Sequence, residues 1–124
     1  MTISDALFAI EEGFWLQGAE FFRDHIDSEA MLIFPQAGEM FGVKSREAIA
    51  LTATSGNRWK DLSMQRRQCL MLSDGVAMIA YHANVRRADG VPYQALIGSV
   101  YVLRDKGWKL ASHQHSPVID EKTE

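Results

Sequence analysis

A chain of 124 residues with 47% hydrophobic and 23% charged content has the make-up of one globular domain long enough to bury a core. Its 13 basic and 16 acidic residues leave a net charge of −3 with no basic block, which excludes a general nucleic-acid or anionic-membrane surface. No apolar run nears the ~20 residues that span a bilayer, Met1 to Asp5 lack a basic leader, and the lone Cys69 excludes an internal disulfide, so a cytoplasmic protein is expected.

Periodicity predicts a helix over residues 4–16. The pairs Leu7/Phe8 and Phe14/Trp15, followed by Phe21/Phe22, recur every seven residues. Glu11, Glu12 and Gln17 are expected on its other faces, with Thr2 or Ser4 as cap and Asp5 near its positive end. Gly18 reads as a break, since glycine inside a helix costs ~1 kcal/mol relative to alanine. A second short helix over residues 19–26 turns Phe21, Phe22 and Ile26 inward. This aromatic stripe is core by its spacing, with Trp15 also placed to roof a pocket. Asp27 to Glu29 reads as a turn and Ala30 to Phe34 as a short strand stopped by Pro35. After a turn over residues 35–38, Glu39 to Phe41 forms a partner strand ending at Gly42. A third helix opens at Ser45 and runs to about Thr54 on the apolar side of Ala48, Ile49 and Leu51, and residues 55–57 end it.

The period then changes. Residues 62–72, 76–87, 91–104 and 108–117 are long strands joined by Ser73–Gly75, Ala88–Gly90 and Asp105–Gly107, short glycine-ended turns that make an antiparallel meander. Long strands must twist and coil. The reading is therefore α+β, a single domain over residues 1–124 with its N-terminal helices packed on a strongly curved antiparallel sheet. In the last strand, strict alternation puts Trp108, Leu110, Ser112 and Gln114 on one face and Lys109, Ala111, His113 and His115 on the other. A one-residue slip in register would exchange Gln114 for His115.

The four long strands contain no Asp or Glu. Any carboxylate near a pocket must come from the helices and early loops, with Glu20, Asp24 and Glu39 as sources; Asp24 reads as a solvated residue near a helix end. The candidate acid–base groups are His82, His113 and His115, whose near-neutral titration suits proton transfer. His113 and His115 can reach one ligand together, but no third metal ligand is evident, so neither a metal nor another cofactor is expected. His82, among small residues and opposite in direction to Tyr81, reads first as a structural group. Arg66–Arg67 and Arg86–Arg87 are placed to meet across neighbouring strands as solvated or interface residues, with an anion site for a carboxylate as the sharper alternative. Cys69, mid-strand without a basic neighbour on its face, is expected to be an inert core thiol.

Glu20–Ile26 running into Ala30–Pro35, then Gly42–Ile49, then Gly107–Leu110 leading to His113–Pro117 carry a resemblance. In that order they resemble the nuclear-transport-factor-2-like (NTF2-like, cystatin-like) superfamily, in its SnoaL-like/DUF4440 branch. The resemblance covers nearly the whole chain and implies a cone with a pocket at its open end, and a homodimer joined through the outer sheet face. It also implies polar, pocket-facing side chains at Ser112 and Gln114, places where several relatives carry histidine; these two can orient a ligand but cannot titrate. Pocket walls are expected from Phe14, Trp15, Phe34, Met40, Trp59, Tyr101 and Tyr81. Ketosteroid isomerases of this superfamily use a pocket carboxylate as base, which the acid-free strands here disfavour. Three readings follow: a binder of a small apolar or aromatic molecule; an isomerase, cyclase or dehydratase using histidine as acid and base; or a dimeric association module without a ligand.

Overall fold

The computed structural model describes residues 2–35, 40–53 and 58–118. The turn expected at residues 36–38, the carboxylate of Glu39 and the helix end at residues 54–57 lie outside them. Helix α1 (Ile3–Leu16) begins with a reciprocal cap. The Thr2 hydroxyl accepts from the Asp5 amide at 3.1 Å, and the Asp5 carboxylate accepts from the Thr2 amide at 3.4 Å. The chain breaks at Gln17 and Gly18 and restarts as α2 (Ala19–His25). Gly13 lets the two helices close on each other, because a Cβ there would lie 2.0 Å from the Phe21 ring. Phe14 receives Phe21 and Phe22 edge-on at 5.6 and 5.1 Å.

Helix α2 passes into β1 (Ile26–Ile33) without a loop, so the segment from Asp27 to Glu29 is strand and not turn. Pairing is the cause. Ile26 lies opposite Leu110 and Glu29 opposite Ser45, while Arg104 donates two hydrogen bonds to the Asp27 carboxylate at 3.1 and 2.7 Å. Strand β2 (Phe41–Ser45) starts where the sequence suggested an end, and Gly42 carries it forward at φ +113°. Ser45 then caps α3 (Arg46–Ala50), accepting from the Ala48 amide at 3.1 Å.

The meander is present as β3 (Trp59–Ser73), β4 (Val76–Arg87), β5 (Pro92–Arg104) and β6 (Gly107–Pro117). Strand order across the sheet is β2-β1-β6-β5-β4-β3. All pairings are antiparallel except β1 with β6, which is parallel. That seam covers the edge of β6 that the meander leaves open. The register of β3 shifts between Lys60 and Ser63 and between Gln65 and Gln68, with Asp61 and Arg66 in the left-handed region at φ +57° and +56°. Such bulges bend a strand and increase its twist. On the concave face, Ala77, Ile79, Tyr81, Ala83 and Val85 of β4 and Ala95, Ile97, Ser99 and Tyr101 of β5 are buried at every second residue. They face Leu7, Phe8, Phe14 and Trp15 of α1, and this is the core.

Strand β3 differs from expectation in two ways. Its second half, Gln65 to Ser73, is exposed on both faces, so Cys69 is an exposed thiol and not a core one. The strand lies at the edge of the sheet. The arginine pairs do not meet either: Arg86 faces Lys60 and Arg87 faces Trp59, while Arg66 and Arg67 fall in the bulge between Gln65 and Gln68.

Candidate functional site

The site begins with a bulge in β6. Tyr101 pairs with Leu110, but the next pair is Val100 with Ser112, so one extra residue enters β6 around Ala111. The extra residue reverses the alternation. Leu110, His113 and His115 are therefore buried on the concave face, and Gln114 is exposed on the convex one. The strict alternation expected from the sequence, with Leu110 and Gln114 on one side and the histidines on the other, is overturned by this single insertion. Ser99 and Ile97 of β5 lie opposite His113 and His115 and share their inward face.

Above them α1 delivers Glu11, which is fully buried. Glu11 is three or four residues from Leu7, Phe8, Phe14 and Trp15, so it sits in the middle of the apolar stripe and not on another face of the helix. Its Oε1 accepts from the Tyr81 hydroxyl at 2.9 Å and the Ser99 hydroxyl at 2.7 Å, and lies 3.2 Å from His113 Nδ1. Its Oε2 accepts a short hydrogen bond from the Tyr101 hydroxyl. Trp15 Nε1 donates to the Tyr81 oxygen at 2.8 Å. The network continues outward: His113 Nδ1 is 2.7 Å from Ser99 Oγ, His113 Nε2 is 3.0 Å from His115 Nε2, and His115 Nδ1 is 3.0 Å from the Tyr93 hydroxyl. Neither Glu11 nor Tyr93 carries a local sequence signal for this role, except that an acid amid an apolar helical stripe requires a buried partner.

Burial alone would raise the Glu11 pKa. The charge of His113 and the hydrogen bonds from His113, Tyr101 and Ser99 together outweigh it, and the carboxyl is held below its ordinary value. Burial, with the carboxylate beside it, pushes Tyr81 and Tyr101 well up, so both stay hydroxyl donors. Burial first, and the charge of His113 second, push His115 down to about 2, so this ring is neutral at working pH. A neutral His115 has one N–H to place, and two proton arrangements satisfy the chain. In one, Tyr93 donates to His115 Nδ1 and His115 Nε2–H donates to a neutral His113. In the other, an imidazolium His113 donates to His115, whose Nδ1–H turns to the Tyr93 oxygen. The second state holds one proton more than the first, on the His113 ring beside the Glu11 carboxylate.

The network closes one wall of a cavity of about 410 Å³ between the helices and the sheet. Trp15, Phe34, Met40 and Trp59 line it, as do Phe14, His113 and His115. His115 stacks on Phe34 at 4.2 Å and on Trp15 at 5.4 Å. Tyr101 is fully buried and lies behind the wall, bound to Glu11. Ser112 is on the convex face with Gln114, whose amide is 3.4 Å from Ser116 Oγ; both were expected in the pocket, and the bulge turns them away from it. His82 also faces outward, 3.0 Å from Gln94 Oε1, because its neighbours Tyr81 and Ala83 take the inward positions. Glu20 is exposed and 3.6 Å from Arg23, and Asp24 is exposed. Arg58, which no expectation covered, and Arg87, expected as a solvated or interface residue with a carboxylate site as the alternative, both line the cavity. Arg58 donates to the Phe14 and Gln17 carbonyls at the end of α1, at 3.3 and 2.9 Å.

No protein-family model matches the chain, and no curated protein does. Solved structures do. An NTF2-like protein from Cytophaga hutchinsonii superposes with a TM-score of 0.76 at 11% identity, over 95% of this chain and 100% of that one. The fold is NTF2-like. A candidate ketosteroid isomerase from Parabacteroides distasonis shares the NTF2-like fold with a TM-score of 0.75 at 14% identity, over 94% of this chain and 89% of that one. A candidate calcium/calmodulin-dependent kinase II association domain from Exiguobacterium sibiricum gives 0.71 at 14% identity, over 94% and 92%. At such identities the likeness carries the fold and no activity.

Proposed function

We propose that the protein binds a small apolar or aromatic molecule in the cavity between its helices and curved sheet. The cavity wall supports this reading. Its volume of about 410 Å³ falls in the range of small-molecule sites, roughly 300–1,000 Å³. Its lining is mostly apolar, with aromatic rings from Phe14, Trp15, Phe22, Phe34 and Trp59, and the four ring nitrogens of His113 and His115 are all engaged inside the protein. Such a wall offers faces and edges of rings to a ligand and no idle acid or base. The test is a thermal-shift screen against steroids, polyketide-like aromatics, fatty acids and small carboxylates at pH 6 and pH 8. A ligand that binds only the folded state raises the midpoint by mass action. The expected result is a rise with an aromatic class that is equal at both pH values. No rise with any class would overturn the proposal.

The proton chain from Tyr93 through His115 and His113 to Glu11 favours a second reading, an isomerase, cyclase or dehydratase with histidine as acid and base. It requires a ligand oxygen to displace one of the internal partners, and its mark is a thermal shift that changes between pH 6 and pH 8. The segments Glu20–Ile26, Gly42–Ile49 and Gly107–Pro117 support placement in the SnoaL-like/DUF4440 branch. No helix among the described residues is long and apolar enough to cross a membrane, and the unpaired Cys69 supports a reducing, cytoplasmic setting. We also propose a homodimer through the outer sheet face, on which Leu70, Met78 and Val100 form one cross-strand row. Assembly without a ligand is the third reading, and a failed screen would favour it.

A further inference from the structure

Among the described residues the cavity is lined by two arginines and by no acidic side chain. Half-buried Arg87 lines this apolar cavity with no carboxylate paired to it among the described residues, and half-buried charges are ordinarily paired. Arg87 stands at the aromatic wall of the cavity. Its guanidinium carbon lies 5.0 Å from the centre of the Trp59 ring and 5.2 Å from that of Tyr93. A cation–π contact does not consume the N–H donors of a guanidinium, and no hydrogen bond from this side chain is seen among the described residues. Among the described residues no carboxylate bridges to it; the neighbouring Arg86 pairs with Asp61, and Arg104 and Arg23 take Asp27 and Glu47. Trp59 in turn packs edge-on against Trp15 at 5.1 Å, so the cation stands on the same aromatic wall that bounds the cavity. Arg58, fixed by the carbonyls at the end of α1, adds a second positive charge to the lining.

We infer that the ligand is an aromatic or apolar carboxylate, its body against Trp15, Phe34 and His115 and its carboxylate on Arg87. This rests on the cavity being a binding site and names the chemical class that fills it. Size fits as well: about 410 Å³ is some fourteen times the ~30 Å³ share of one liquid water, room for a two-ring body with one small head group. A guanidinium binds a carboxylate through two parallel hydrogen bonds, which a neutral amide of the same shape cannot reproduce.

The probes are 1-naphthoate and its neutral analogue 1-naphthamide, titrated by calorimetry into the full chain near neutral pH. 1-Naphthoate is expected to bind about tenfold or more tighter than the amide. Arg87→Gln should remove that difference, with naphthoate losing far more than the amide, and Arg87→Lys should retain part of it. If the glutamine variant does not fold, the wild-type protein still decides. Raising salt from about 0.05 to 0.5 M must weaken naphthoate and spare the amide, since only the former meets a screened charge. Equal affinity for both probes in the wild type overturns the anionic class and leaves the aromatic cavity standing. Binding of neither probe, with the fold intact by circular dichroism, overturns both.

Discussion

Glu11 is an ionised carboxylate with no exposed surface in the centre of the core, a placement that is stable only when its lone pairs are met. Tyr81, Ser99, Tyr101 and His113 meet them from three adjacent strands. This arrangement makes the fold sensitive to acid. Folded His115 is pushed down to about 2, whereas an unfolded histidine titrates near ~6.5. Between those values the unfolded chain holds a proton that the native one lacks, so stability falls as pH drops below about 6.5 and continues to fall toward about 2. Glu11 acts in the same direction: its native value lies below the ordinary 4.5, so its contribution is lost as pH falls through the acid range below that. Urea midpoints measured from pH 7 to pH 4.5 should decline steadily, and His115→Phe, which keeps the ring between Trp15 and Phe34, should flatten that slope. An unchanged slope in the variant would remove His115 as its source. The Glu11 site was half legible in the sequence. Position 11 falls on the stripe of Leu7, Phe8, Phe14 and Trp15, so an acid facing the core can be read from spacing alone. Its partners cannot, because Tyr81 and Ser99 are 70 and 88 residues away and nothing local marks them.

Helix α1 and helix α2 come into close contact at Gly13, a residue without a side chain. Gly13 occupies a helix interior, where alanine is ordinarily better by ~1 kcal/mol. Here the gain is opposed, since the new methyl would lie 2.0 Å from Phe21, whose ring is also stacked on His25 at 4.0 Å. Overpacking of this kind typically costs about 1–3 kcal/mol. Gly13→Ala should therefore lower the melting temperature in the wild type and raise it in a Phe21→Ala background. The reversal of sign is the informative result; a lower melting temperature in both backgrounds would show that Phe21 is not the obstacle. The elements most legible from sequence were those set by neighbours along the chain, such as the capped α1 and the meander with its glycine-ended turns. Two features set at long range were not. The parallel seam of β1 with β6 joins strands from opposite ends of the chain, and it makes strand of the residues after α2. The bulge near Ala111 inserts one residue, a change invisible to alternation yet enough to exchange Gln114 for His115 at the cavity.

The molecule presents two sheet faces with different chemistry. The concave face holds the core and cavity, and the convex face keeps large apolar side chains in water, with Leu70 59%, Met78 39% and Leu96 49% exposed. Leu70 faces Met78 and Met78 faces Val100 across three consecutive strands, so the apolar row is continuous and not scattered. A second copy laid across this row would bury it in both chains at once, the self-complementary arrangement of a two-fold dimer. Met78→Asp places a charge at the middle of the row, where pairing two copies would desolvate it twice. The expected outcome is a dimer for the wild type and a monomer for the variant in analytical ultracentrifugation at the same concentration. Because Met78 faces solvent within its own chain, the fold should persist, with a melting temperature lowered only by the loss of the interface and by a β-propensity difference on the order of 1 kcal/mol. Affinity for 1-naphthoate should not change, since the cavity is on the opposite side of the sheet. A variant that stays dimeric would move the interface elsewhere, with the exposed edge strand β3 as the next surface to substitute. A wild type that sediments as a monomer would leave the convex face without this role.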